Sequence, residues 1–365
     1  MRIRRLIASG AAAGALVAAA VVAGDAAYGS PAGTWVLTPL DLPGSSVHAI
    51  RAVPGGAWAV GSIDDGPRTA TRSLVMRWAD GRWNAVPTPD VGQLDGIDGT
   101  APSDLWAVGR NGSLHWDGSW WQAVPVATSP EEYDYLLSVT APASDDAWAV
   151  GTAQARSNKY YHGLLEHWDG KAWSRVALPP KLHNFLLDAV AGTGPRDVWA
   201  AGAYLTPDRA GSPALLMHYA GDEWETVPAP RISGNAALVQ ALLPLAPDDV
   251  FAAGGMVGTS DGIRRPFMLH YDGRAWSRMQ LPPSFDGADI ESLAVGNGVP
   301  VAAGELQGLL TYAQGAWRDI PGPELPANID HWIHALSATP TGLLWAVGGY
   351  SVSFEETAQF VASYG

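Results

Sequence analysis

Apolar and small residues gather in short runs along this chain, and the runs alternate in a fixed order. One kind closes on glycine: GAWAVG (56–61), DLWAVG (104–109), DAWAVG (146–151), DVWAAG (197–202), DVFAAG (249–254), VPVAAG (299–304) and LLWAVG (343–348). After a variable gap comes a turn glycine with a tryptophan: GRW (81–83), GSW (118–120), GKAW (170–173), GDEW (221–224), GRAW (273–276) and GAW (315–317). A further GTW (33–35) stands ahead of the first run. Self-similarity at a period of about 20–50 residues marks a solenoid, a propeller or an array.

The unit 137–179 shows what each repeat encodes. Residues 137–140 alternate as a short strand, and Ala141-Pro142-Ala143-Ser144-Asp145 reads as a turn. A second strand covers 147–151 and a third 164–168; Asp169-Gly170 is a tight hairpin turn, and a fourth strand over 173–178 ends at Pro179-Pro180. Four short antiparallel strands per unit make a propeller blade, whereas the proline density and the lack of a sustained 3.6-residue period exclude helical repeats. In DLWAVG, Leu105 and Ala107 face one way and Trp106 and Val108 the other, as a sheet covered on both sides requires. The tryptophans are expected to fill the outward-widening wedge between blades.

The last unit stops at its turn glycine without a fourth strand, and residues 33–40 form a fourth strand without a blade. The expectation is an all-β, seven-bladed β-propeller of four-stranded antiparallel blades, a single domain over 28–365. Its last blade is closed by the N-terminal strand at 33–40, which removes the exposed edges of an open array.

Composition adds a leader and excludes some partners. Arg2, Arg4 and Arg5 precede an uncharged Ala/Val-rich run, so residues 1–27 read as a cleaved secretory signal peptide and the mature chain as extracellular. If uncleaved, the run would be a membrane anchor, although alanine and glycine insert poorly. Of 365 residues, 36 are acidic and 22 basic, a net charge of −14 that argues against nucleic acid and anionic lipid. With no cysteine, stability must come from core packing rather than disulfides.

Gly254-Gly255 with Tyr271-Asp272 and Trp276, and Gly348-Gly349 with Tyr364, resemble the kelch repeat of the galactose-oxidase-type central domain. The segment 111–118, Asn-Gly-Ser-Leu-His-Trp-Asp-Gly, is also similar to a tectonin-type lectin repeat, and its His-Trp-Asp-Gly to the Asp-box of sialidases. All three resemblances imply a propeller. A galactose-oxidase-like copper site would need a thioether cysteine, which is missing. A sialidase-like site would need an arginine cluster with a Tyr–Glu pair, and no motif aligns Arg51, Arg68, Arg72, Arg264 and Arg265 for it.

Recurrent polar residues have structural explanations. His115, His167, His218 and His270 share one third-strand register. Strand spacing puts neighbouring copies on the order of 14 Å apart, too far to share a zinc ion, so they are expected to bond the turn or an adjacent blade. Asp104, Asp146, Asp197 and Asp249 are expected to accept the amides of their own turns. Asp64, Asp65, Glu131, Glu132, Glu355 and Glu356 lack calcium-loop spacing and are expected to be solvated. No metal, cofactor or catalytic residue is assigned, and no hydrolase, metalloprotease or phosphate-loop motif occurs.

Residues that break the repeat lie in the long connections on one rim, where binding chemistry concentrates. The candidates are Tyr133, Tyr135, Tyr160, Tyr161, His162, Tyr204, Arg264, Arg265, His331, Trp332 and Tyr350, with Phe267 and Phe285 beside them. The expected function is a secreted, monomeric, non-catalytic binding module for a glycan or a protein. The alternative is an extracellular polysaccharide-acting hydrolase or lyase with carboxylates at the channel mouth.

Overall fold

Each run that closes on glycine forms the second strand of a four-stranded antiparallel sheet, and seven such sheets succeed one another along the chain. The computed structural model describes residues 33–365 apart from 41–43, 67–68, 158–160, 206–213, 233–235, 258–263, 286–288, 305–307, 326–330 and 352–356. The leader at 1–27 and the candidate Tyr160 lie outside the described residues.

Blades one to six occupy 45–85, 94–124, 132–175, 185–226, 236–279 and 290–320. Blade seven takes three strands from 331–364 and its outermost from Trp35–Pro39. That strand pairs antiparallel with Thr357–Tyr364, Trp35 opposite Tyr364 and Pro39 opposite Phe360, so the N-terminal segment closes the ring as expected.

The two-faced pattern of the second strands produces a core at every blade junction. Leu105 and Ala107 pack with Trp58 and Val60 of blade one, while Trp106 and Val108 pack with Leu136, Val139 and Ala149 of blade three. Equivalent clusters occupy the other five junctions, including the one between blades seven and one.

An aromatic lock joins most neighbours. Trp106 packs against Trp168 and Trp173 of the next blade with centroids 4.8 and 5.2 Å away, the second edge-on at 84°. Trp58, Trp148, Trp199, Phe251 and Trp345 each meet such a pair on the following blade. Blade six carries Val301 instead, facing Trp35 and Tyr364 across the junction. Edge-to-face pairs are favoured by the ring quadrupole and add about 0.5–1.5 kcal/mol each beyond area burial.

In blades two to five the repeated histidines complete the lock from inside the blade. His115 stacks on Trp106 at 4.4 Å, and its Nε2 lies 2.7 Å from Asp104 Oδ1. His218 repeats both contacts, on Trp199 with Asp197; His270 lies tilted against Phe251 at 4.7 Å and meets Asp249, while His167 stacks on Trp148 with Asp146 3.4 Å away. The aspartates are thus engaged by imidazoles, and Asp104 and Asp197 also by Thr100 and Thr193 hydroxyls, a different use from the expected turn amides. In blade one, Arg77 sits over Trp58 in the place of histidine.

The glycine that closes each of these runs has a steric cause. Inner strands shift register at one equivalent point in all seven blades, stepping over His48, Asp95, Leu137, Asp188, Gln240, Glu291 and His334. The bulge drives the preceding carbonyl onto the glycine. A Cβ on Gly61, Gly109, Gly151, Gly202, Gly254, Gly304 or Gly348 would lie 1.7–2.0 Å from that oxygen. Only glycine fits.

Two expectations change in detail. The unit at 137–179 has longer early strands than its alternation suggested: Glu132–Ala143, Asp146–Ala155 and Tyr161–Trp168, with a fourth strand of only Trp173–Arg175. Phe267 and Phe285 are fully buried, in the cores of blades four–five and five–six, and not on the rim.

Gly202→Ala should destabilise the fold by about 2 kcal/mol or more, because backbone must move to admit the methyl group. Gly194→Ala, which meets nothing within 4 Å, should stay within about 0.5 kcal/mol of wild type. Urea unfolding of both variants checks the contrast.

Candidate functional site: a cleft between blades two and three

Blade heights differ on the rim that carries the variable connections. In blade two the second strand ends at Gly109, and Arg110 and Asn111 alone lead into the third. In blade three the second strand continues four residues beyond the equivalent glycine, to Ala155, and the third begins at Tyr161. At about 3.3 Å per residue the ladder stands about 13 Å taller. Tyrosine and threonine suit this extension, which pairs Tyr133 with Gln154, Tyr135 with Thr152, and Gln154 with Tyr161.

Low blade against tall blade leaves a cleft of about 410 Å³. Arg110 and Asn111 form its low side; Glu132, Tyr133, Asp134, Tyr135 and Arg156 form its high side, with the 126–130 connection at its edge. Both arginines lie on tyrosine faces: the Arg110 guanidinium carbon is 4.9 Å from the Tyr135 ring centre, and that of Arg156 is 3.9 Å from the Tyr133 ring centre. Arg110 Nη2 also donates to the Tyr135 hydroxyl at 3.5 Å.

Strand alternation sends Glu132 and Asp134 to the face opposite Tyr133 and Tyr135. There Arg175 donates from Nη1 to Glu132 at 2.5 Å and from Nη2 to both Asp134 oxygens at 2.7 Å. His162 Nε2 lies 3.1 Å from the other Glu132 oxygen. Glu132, expected to be solvated, is therefore held in an ion-pair network. Beside it Glu166 is fully buried, and Oε2 accepts the Ala127 amide at 3.0 Å. Burial pushes its carboxyl up to about 7, against the pull of that amide and of Arg175, with Asp134 adding to the rise.

Of the rim candidates, the structure gathers Tyr133, Tyr135, Tyr161 and His162 on blade three, in strands and not in loops. The others are spread over three more blades. Tyr204 ends the second strand of blade four and packs half-buried on the blade three–four core, which raises its hydroxyl pKa. Arg264 and Arg265 begin the third strand of blade five, where Arg264 pairs with buried Asp289 of the next blade at 2.5 Å. His331 opposes Tyr350 in blade seven, and the Trp332 ring covers Gly349. These residues share a rim but not a site. Arg110, Arg156 and Arg175 were missed. The signal for Arg110 was the two-residue connection of blade two, which stands out only against the long connections of the other blades.

The axial channel, about 400 Å³, offers less chemistry. Among its lining residues Asp98 is the one carboxylate, and it accepts Arg51 at 3.0 Å, Thr140 Oγ1 at 3.2 Å and the Ala141 amide at 3.0 Å. The pair of carboxylates that glycoside hydrolysis uses is not present in that lining.

Comparison with protein families and with curated proteins finds no match. Solved structures match widely. YCF48 bound to D1 peptide aligns with TM-score 0.57 and 13% identity over 94% of this chain and 99% of its own. The WD40 β-propeller domain of Doa1 aligns with TM-score 0.54 and 15% identity over 90% and 96%. PorZ, a bacterial surface component of the type-IX secretion system of Porphyromonas gingivalis, aligns with TM-score 0.57 and 11% identity over 90% of this chain and 51% of its own. At these identities the likeness shows the β-propeller fold.

Because the folded state holds Glu166 protonated, its stabilising state is complete below about pH 4.5 and is lost as pH rises through about 7. Glu166→Gln should therefore exceed wild-type stability by roughly 2–3 kcal/mol at pH 8, and the gap should close near pH 4.5. Chemical denaturation across pH measures both limits.

Proposed function

We propose that the chain is an exported, monomeric, non-catalytic binding propeller whose cleft between blades two and three receives a peptide segment of a protein partner. The observation that carries this reading is the step itself, an open cleft walled by partly exposed aromatics on a rigid ladder. Tyr133 on the high wall is 47% exposed, far more than a core aromatic, and Tyr135 beside it is partly exposed. Rigid, amphipathic side chains of this kind dominate binding energy at protein interfaces. The likeness to a propeller bound to a peptide supports the reading. Export is supported by Arg2, Arg4 and Arg5 ahead of the uncharged run, and by the likeness to the extracellular domain of BT4673 from B. thetaiotaomicron. The Gly-Gly and Tyr-Asp elements support a kelch-like subtype.

Tyrosine faces also stack on sugars, so a glycan is the second candidate occupant. Panning a displayed random-peptide library on the full chain, beside a glycan array, decides between them. The expected result is a set of peptides whose affinity drops about thirtyfold with Tyr133→Ala and is unchanged by Tyr204→Ala, both variants keeping their thermal midpoints. Binding to arrayed sugars that depends on Tyr133, without any peptide, would replace this reading.

A further inference from the structure

We infer that the segment received by the cleft is acidic, its carboxylates gripped by Arg110 and Arg156; the inference rests on the peptide-binding reading. The argument is one of committed and uncommitted charge. Glu132 and Asp134 also line the cleft, but their oxygens are taken by Arg175, by His162 and, for Asp134, by the Ser129 amide at 3.3 Å. The two guanidinium groups on the cleft wall face tyrosine rings, not carboxylates. Both arginines are exposed.

Stacking on a ring holds a guanidinium by its face and leaves edge N–H groups for a ligand, Arg110 giving one of its own to the Tyr135 hydroxyl at 3.5 Å. That edge is the fork that takes a carboxylate through two parallel hydrogen bonds. The flat tyrosine beneath fixes the fork, so little side-chain freedom remains to be lost when an acid docks. Selectivity follows from the rest of the surface. A chain of net charge −14 disfavours acidic segments wherever its own carboxylates are free, and the cleft presents cations. Two forks on opposite walls suit a segment carrying two acidic side chains, or one acidic side chain and a C-terminal carboxylate.

The probes are the library peptides that depend on Tyr133, synthesised with a fluorescent label, and the same peptides with every Asp and Glu changed to amide. Both sets are titrated against wild type, the double variant Arg110→Gln with Arg156→Gln, and Arg278→Gln, an exposed arginine of blade five. Acid-rich peptides are expected, with a loss of about tenfold for each arginine removed, a similar loss for the amide peptides, and no change with Arg278→Gln. Replacing both cleft arginines by lysine should restore part of the affinity, since a point charge lacks the fork. Tyr133-dependent peptides that are neutral or basic, or that bind the double glutamine variant as tightly as wild type, would overturn the acidic assignment and leave the peptide reading standing. If no peptide depends on Tyr133, both fall.

Discussion

Everything in this ring depends on a close approach between two backbones, repeated seven times. Where the inner strand bulges, its carbonyl presses on the second strand at a position that tolerates no Cβ. The bulge frees one inner-strand residue per blade from the ladder, and some of these reach the neighbouring blade. His334 Nε2 lies 2.7 Å from the Val47 carbonyl oxygen of blade one, and His48 Nδ1 lies 3.1 Å from the Leu94 oxygen of blade two. Ser138, Ser292 and Ser337 accept amides of the following inner strand in the same way. Edges that would otherwise present unpaired backbone around the axis are partly satisfied by side chains from next door. Farther out the aromatic locks take over. Each blade is therefore held at two radii, by polar bonds near the axis and by rings toward the perimeter.

Such a frame explains why one rim can vary without cost to the whole. The bulge and the lock both lie inside the ladder, so the length of each strand beyond the glycine is not fixed by them. Blade three uses that freedom to extend, blade two does not, and the cleft is the difference between them. Its high wall is strand and not loop, which keeps Tyr133 and Tyr135 in fixed register on one face and their acidic neighbours on the other. Glu166 and the Arg175 network lie beneath this wall and tie its strands to the 126–130 connection.

Much of the fold was legible because its causes are local in sequence. Glycine, tryptophan and the turn aspartates recur at fixed offsets, and Asp117, Asp169 and Asp272 do accept the amides of their own hairpin turns, which holds their carboxyls below the usual range. Closure by Trp35 could be seen from a missing strand at one end and a spare strand at the other. The site was less legible because it arises from a comparison between blades. Tyr133 and Tyr135 stood out as departures from the repeat, but nothing in their own segment shows that the neighbouring blade is short. Arg110 stands in a two-residue turn that looks ordinary until the ladder beside it is known to rise above it. Tyr204, Arg264 and Tyr350 stood out equally and proved to be packing or pairing residues, since an aromatic or a cation beyond the glycine is also what covers a blade junction.

A closed ring with a packed core at each junction should open as one unit, unlike an open repeat array that frays from its ends. Native-state amide hydrogen exchange tests this most directly. The account predicts that the second strands of all seven blades, blade seven included, share a single highest opening free energy, with the taller ladder of blade three exchanging sooner. Blades that open independently, or a seventh blade that exchanges well before the others, would contradict it.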